Sequence, residues 1–66
     1  MPEETDPLIL IRQKEVLRRT ALSRTGLFEL LRAGKFPAPS KLPNSRVNVW
    51  SATDVTAWIR NVIEKD

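Results

Sequence analysis

Apolar positions along this chain fall into helical and strand-like patterns. Val55, Trp58, Ile59, Val62 and Ile63 recur at i, i+3, i+4, i+7 and i+8, one stripe on a C-terminal α-helix. Ser51 with Asp54 three residues on matches a capping box at its start, Asp replacing the usual Glu. The unbroken Leu8-Ile9-Leu10-Ile11 run reads as a strand. Residues 13–19 predict a short helix turning Val16 and Leu17 inward. Glu15 lies near its N-terminus, where an acid suits the helix dipole, but no good cap precedes it. Thr20-Ala21-Leu22 is then a tight connection, and Ser23 is the N-cap of a second helix through Ala33. Gly34 suits the position after its end, and Pro37 and Pro39 prevent continuation. Residues 40–42 and 47–50 predict two strands around a Pro43-Asn44-Ser45-Arg46 turn. In the second strand Val47 and Val49 face one way and Asn48 and Trp50 the other, and alternation alone fits either face inward.

Composition narrows what such a chain does. Sixty-six residues support one domain with one small core. Residues 1–7 hold two prolines and three acids without apolar periodicity and read as a flexible acidic tail, leaving 8–66 as the domain. There is no cysteine and no histidine, which excludes disulfides, thiolate or imidazole metal sites, and His-based acid–base or nucleophilic catalysis. The expectation is therefore no enzyme, no catalytic residue, no metal and no cofactor. The longest apolar run has four residues and follows no basic segment, so neither a membrane span nor a signal sequence is expected, and the predicted location is the cytoplasm.

Charge is segregated. Residues 12–46 carry nine bases against Glu15 and Glu29, a net +7, whereas residues 1–11 sum to −3 and residues 47–66 to −1. A basic middle between acidic ends suits a phosphate-facing surface, and equally a solvated surface that keeps a small domain soluble. On the second helix, at about 100° per residue, Leu27, Leu30 and Leu31 share one face. Thr25, Phe28, Glu29 and Arg32 share the opposite one. A lone exposed Phe needs no special explanation. Here, between Thr25 and Arg32 and just after a cap, it suits contact with a thymine methyl or the wall of a major groove. Arg24 and the free N–H groups after Ser23 favour a phosphate. Lys35 adds another base just past the end of the helix. Lys41, Asn44 and Arg46 bracket the predicted hairpin, either as a wing along DNA or as charged decoration that protects an edge from pairing.

The order strand, helix, turn, helix, two-stranded hairpin, helix is that of a small winged helix-turn-helix, α+β and mainly α. The stretch LIRQKEVLRRTALSRTGLFELLRAGKFPAPSKL at 10–42, followed by RVNVW at 46–50 and DVTAWI at 54–59, resembles the AlpA family of prophage regulators, small proteins related to excisionase and MerR-type winged helices. Its most specific pieces are KEV at 14–16, LSR at 22–24, GKFP at 34–37 and AWI at 57–59. The resemblance implies a DNA-binding transcriptional regulator, in some relatives one that also controls prophage excision. Three positions depart from the family pattern. Ala21 stands where the family usually has Gly in the turn, and a left-handed backbone there costs Ala about 1 kcal/mol. Gly26 stands inside the second helix, at about 1 kcal/mol of helix propensity relative to Ala, and permits close approach to DNA. Glu29 stands where relatives often carry a base, and suits acceptance from cytosine N4 or repels phosphate.

The leading expectation is a sequence-specific regulator that reads the major groove with helix 23–33 and anchors with the wing 40–50, acting at the nucleoid. An excisionase-like factor that bends DNA for an integrase is one alternative. A protein-interaction module is another, signalled by an exposed apolar patch around Phe28, Phe36 and Trp50. One recognition helix reads few base pairs, so a dimer, cooperative copies or a partner such as an integrase would supply the remaining specificity.

Overall fold

Ile11 and Trp50, directly opposite each other on neighbouring strands, anchor the core of the computed structural model, which describes residues 9–64. The elements in chain order are β1 (Leu10–Arg12), α1 (Gln13–Thr20), α2 (Arg24–Arg32), β2 (Ser40–Lys41), β3 (Asn48–Ser51) and α3 (Ala52–Glu64). The fold is a small winged helix-turn-helix, mixed α and β and mainly helical. The tail predicted at residues 1–7, and Leu8, lie outside the described residues.

The two-stranded wing is part of something larger. β1 pairs antiparallel with β3, and β3 with β2, giving a three-stranded sheet in the order β1-β3-β2. Among the described residues the first strand begins at Leu10 and runs one residue past the apolar run, with Leu10 opposite Ser51 and Arg12 opposite Val49 setting the register. Making β3 the central strand also decides its orientation. Trp50 faces the core with Ile11, Val16, Leu27, Phe36, Ala52 and Val55. Val49 faces the other way, yet it is buried too, because Arg12 flanks it on one side and Ser40 on the other. The hairpin turn closes one residue earlier than predicted, with the Ser45 N–H donating to the Leu42 carbonyl at 3.2 Å. Pro43 then occupies the second turn position and Asn44, at φ 60°, the third, the pattern of a type II turn.

Local chemistry fixes each helix end. Arg12 offers α1 no side-chain cap. The α1 C-terminus closes on Ala21, which is left-handed at φ 63° and ψ 17° and donates its N–H to Leu17 O at 2.9 Å. The Thr20 hydroxyl supports that turn, donating to Val16 O at 2.8 Å and accepting from the Leu22 N–H at 3.3 Å. α2 starts where Ser23 Oγ accepts from the Gly26 N–H at 3.0 Å. It ends in a Schellman motif: Gly34 at φ 74° donates to Leu31 O at 3.1 Å, and Lys35 donates to Leu30 O at 2.8 Å. At the start of α3 the Asp54 N–H reaches Ser51 Oγ at 3.5 Å, so the Ser half of the predicted capping box is long. Ser51 is meanwhile the last ladder residue of β3.

Two tryptophans pin the segment between α2 and β2. The Trp50 indole N–H donates to Pro37 O, and the Trp58 indole N–H to Lys35 O, each at 2.9 Å. Phe36 packs its ring at 59° against Trp58 with centroids 4.9 Å apart. Apolar bodies with satisfied polar tips let both tryptophans leave water without an unpaired donor. The hairpin is thereby held to α2 through a short, tied segment.

Candidate nucleic-acid interface

The Ser23 cap and the Gly34 terminus fix the rotation of α2, and its two faces separate as its periodicity predicts. Leu27 is fully buried and Leu30 and Leu31 are half-buried against the core. Thr25, Phe28, Glu29 and Arg32 are exposed, Phe28 with 40% of its surface in water. A phenyl ring, a hydroxyl, a carboxylate and a guanidinium therefore share one solvent-facing stripe on a helix anchored at both ends. Ser23 and Arg24 stand exposed at the N-terminus of that helix, Lys35 just past its C-terminus. The Ser23 hydroxyl occupies the Gly26 N–H, leaving the N–H groups of Arg24 and Thr25 without an acceptor among the described residues. Such a terminus favours an anion.

The basic residues divide into free and occupied ones. Arg24, Arg32, Lys35 and Arg46 are exposed and form no ion pair among the described residues. Arg18 and Arg19 are occupied. Glu15 Oε2 accepts from Arg18 Nη2 at 2.6 Å and from Arg19 Nε at 2.7 Å, while Oε1 accepts from Arg18 Nε at 2.9 Å. These bonds lower the Glu15 carboxyl from 4.5 to about 2, Arg18 first and Arg19 second, and raise the Arg18 guanidinium. Glu15 stands in the first turn of α1, where an acid suits the helix dipole, and it also neutralises part of the basic middle. The i, i+3 and i, i+4 spacing from Glu15 to Arg18 and Arg19 is the signal that reveals it.

The hairpin residues also divide. Lys41 Nζ donates to Asn48 Oδ1 at 2.8 Å and to Arg46 O at 3.4 Å, so its ammonium bridges β2 and β3. Asn44 supplies the left-handed turn position. Arg46 is exposed beside them. Lys41 and Asn44 thus shape the hairpin, and Arg46 is its unengaged cation. One residue absent from the predicted site lies close to it: Lys14 of α1 joins Gln13, Leu17 and Arg24 around an open hollow of about 500 Å³ between α1 and the start of α2. No local pattern brings residues 14 and 24 together; the tight turn at Ala21 does.

The apolar patch expected of an interaction module does not form. Phe36 is 6% exposed and Trp50 1%, because the tryptophan-tied segment folds both rings inward, and Phe28 stands without them. Among the described residues no helix is long and apolar enough to cross a membrane.

Comparison with known proteins adds a family. The family model described as Prophage CP4-57 regulatory protein (AlpA) matches residues 9–63. A curated protein of Enterobacteria phage P4, described as uncharacterized protein ORF88, is 37% identical over 59 residues, covering 89% of this chain and 65% of the relative. The chain therefore spans less than two thirds of that relative's length. No solved structure matches.

Proposed function

Since the chain belongs to the AlpA family of prophage regulatory proteins, we propose that it is a regulator that binds duplex DNA, with α2 in the major groove and the β2–β3 hairpin along the backbone. The observation that carries this reading is the exposed Thr25–Phe28–Glu29–Arg32 stripe on a capped helix flanked by unpaired cations. Arg32 suits a fork onto guanine O6 and N7, Thr25 and Phe28 suit a thymine methyl, and Glu29 suits cytosine N4. Ser23, Arg24 and Lys35 hold phosphates at the two ends of the helix. Arg46 holds one at the hairpin, which Lys41 and Asn44 keep in shape. Lys14 joins Arg24 in this role across their shared hollow.

The test is selection of bound duplexes from a random pool, followed by affinity measurements across salt concentrations. With about four phosphates neutralised by Lys14, Arg24, Lys35 and Arg46, log K falls against log[salt] with a slope of about −3.6. A flat titration, or no binding to any duplex at low salt, overturns the reading. Mobility of circularly permuted duplexes then separates a local reader from a DNA-bending factor.

A further inference from the structure

α3 is longer than the core it serves. Val55 is fully buried and Trp58 and Ile59 are half-buried, but the same stripe continues to Val62, 53% exposed, and Ile63, 73% exposed. Ile59 and Ile63 together with Thr56, Arg60 and Glu64 line a shallow hollow along the outer side of the helix. The charges that border it are unused: neither Arg60 nor Glu64 has an ion pair among the described residues. Glu64 also sits in the last described turn of α3, which holds no base among the described residues, so its carboxylate opposes the helix dipole there.

We propose that the occupant of this surface is a second copy of the same chain, its α3 laid antiparallel about a two-fold axis. A two-fold interface uses the same patch twice, so the patch must complement itself. This one does. Antiparallel pairing sets Ile59 against Ile63 of the second copy, and the reverse. Arg60 then lies beside the second copy's Glu64 and the acidic end of its helix, again in both directions. Ile59, Arg60, Ile63 and Glu64 are each answered by the patch itself, while Val62 lies on the neighbouring side of the helix with Lys35, Trp58 and Asn61. The exposed Ile9, just before β1, and Leu10, at its start, carry no such complement. Two short helical segments bury less than the ~1,200 Å² of a stable interface, so association is weak, with a dissociation constant on the order of 100 µM. On DNA such a contact would hold two copies of α2 at neighbouring sites, but the dimer does not depend on that reading and is tested without DNA.

The experiment is sedimentation equilibrium of the whole chain from about 10 µM to about 1 mM, a range that brackets this affinity. The expected result is a mass rising from 7.5 kDa towards twice that value. Ile63→Asp holds the mass at the monomer value, with unchanged circular dichroism and thermal melting because the side chain is exposed. Arg60→Glu and Glu64→Arg each weaken association about fivefold, and the double variant Arg60→Glu/Glu64→Arg restores it. Four outcomes overturn the proposal: a monomer at every concentration, a dimer indifferent to Ile63→Asp, a double variant no better than either single one, or a monomer in which residues 1–8 protect Ile63 from solvent.

Discussion

α2 and α3 are both amphipathic helices packed on one core, and they leave opposite kinds of surface behind. α2 spends its leucines on the core: Leu27 is buried, Leu30 and Leu31 half-buried, and what remains is polar and charged apart from Phe28. α3 spends only part of its stripe, and its last apolar residues, Val62 and Ile63, stay exposed. Length explains the difference. α2 has nine residues, closed at once by Gly34, whereas α3 has thirteen, and its apolar period runs through the end without interruption. A helix that exhausts its apolar face offers a polar polymer something to read; one that overruns its core offers another protein something to cover.

The largest expected effect contrasts apolar residues of these two helices. Leu27→Ala removes a fully buried side chain from the core and costs about 2–5 kcal/mol, a large part of the stability of so small a domain. Ile63→Ala removes a mostly exposed one and changes folding by less than about 0.5 kcal/mol. Urea denaturation of both variants at a concentration where the chain is monomeric checks the contrast. Equal losses would mean that the end of α3 is covered within the monomer.

Next in size is the contrast within the polar surface. Arg32→Ala is expected to cost about 1–3 kcal/mol on the preferred duplex and to relax preference at one or two base pairs. Arg46→Ala is expected to weaken all duplexes alike and make the salt slope shallower by about one unit. Both side chains are exposed, so both variants stay folded. Should Arg46→Ala alter base preference while Arg32→Ala does not, the hairpin is the reader and α2 the anchor.

How much of this the chain announces depends on the range of the signal. α2 and α3 are legible because their evidence is local: a Ser before each, Gly34 after one, and 3.6-residue periodicity between. The sheet is not, because β1 meets β3 across about forty residues, and nothing near Ile11 names Trp50 as its partner. Strict alternation also misleads for β3, since it describes a strand with one wet face, whereas a central strand buries Val49 and Trp50 on opposite sides. Phe36 sits in a Gly- and Pro-punctuated loop that reads as exposed, and two indole N–H bonds made from β3 and α3 turn it inward. In the candidate interface the outward stripe of α2 is legible from angle alone. That Lys41 bridges strands and Lys14 approaches Arg24 follows only from how the hairpin and the turn fold.

A smaller effect lies at the turn that sets how α2 leaves α1. Ala21 is left-handed, where its Cβ costs about 1–2 kcal/mol, partly offset by the extra freedom glycine brings to the unfolded chain. Ala21→Gly should raise stability by about 0.5–1 kcal/mol in urea melts and leave DNA affinity unchanged. A lowered midpoint would mean the turn relaxes in solution and α2 is held by its leucines alone. Gly26→Ala is not the mirror of this change. A Cβ there would stand 3.2 Å from Ser23 Oγ, so the propensity gained in α2 is set against the cap that starts it.

The smallest effect decides whether the charged surface stays centred on α2 or spreads along α1. Glu15 holds Arg18 and Arg19, and their hydrogen bonds lower its carboxyl from 4.5 to about 2. A group whose folded value is depressed contributes stability that is complete above its unfolded value and lost as pH falls through the folded one. The Glu15 cluster therefore adds nothing to the pH dependence of stability between pH 5 and 8 and weakens between about pH 4.5 and 2. It lies at the surface, so the loss is small and salt screens it. Carboxyl-carbon NMR should place the Glu15 midpoint near 2, and Arg18→Ala should move it towards 4.5 further than Arg19→Ala does. Glu15→Gln should leave the urea midpoint at pH 7 nearly unchanged. If this domain meets DNA along α1 as well as α2, the same variant steepens the salt slope by releasing two guanidinium groups. An unaltered slope, with the Glu15 midpoint of the wild-type chain near 2, would confine the contact to α2 and the hairpin. A midpoint near 4.5 in the wild-type chain would instead mean that Arg18 and Arg19 are already free, and the polar surface would then extend across both helices.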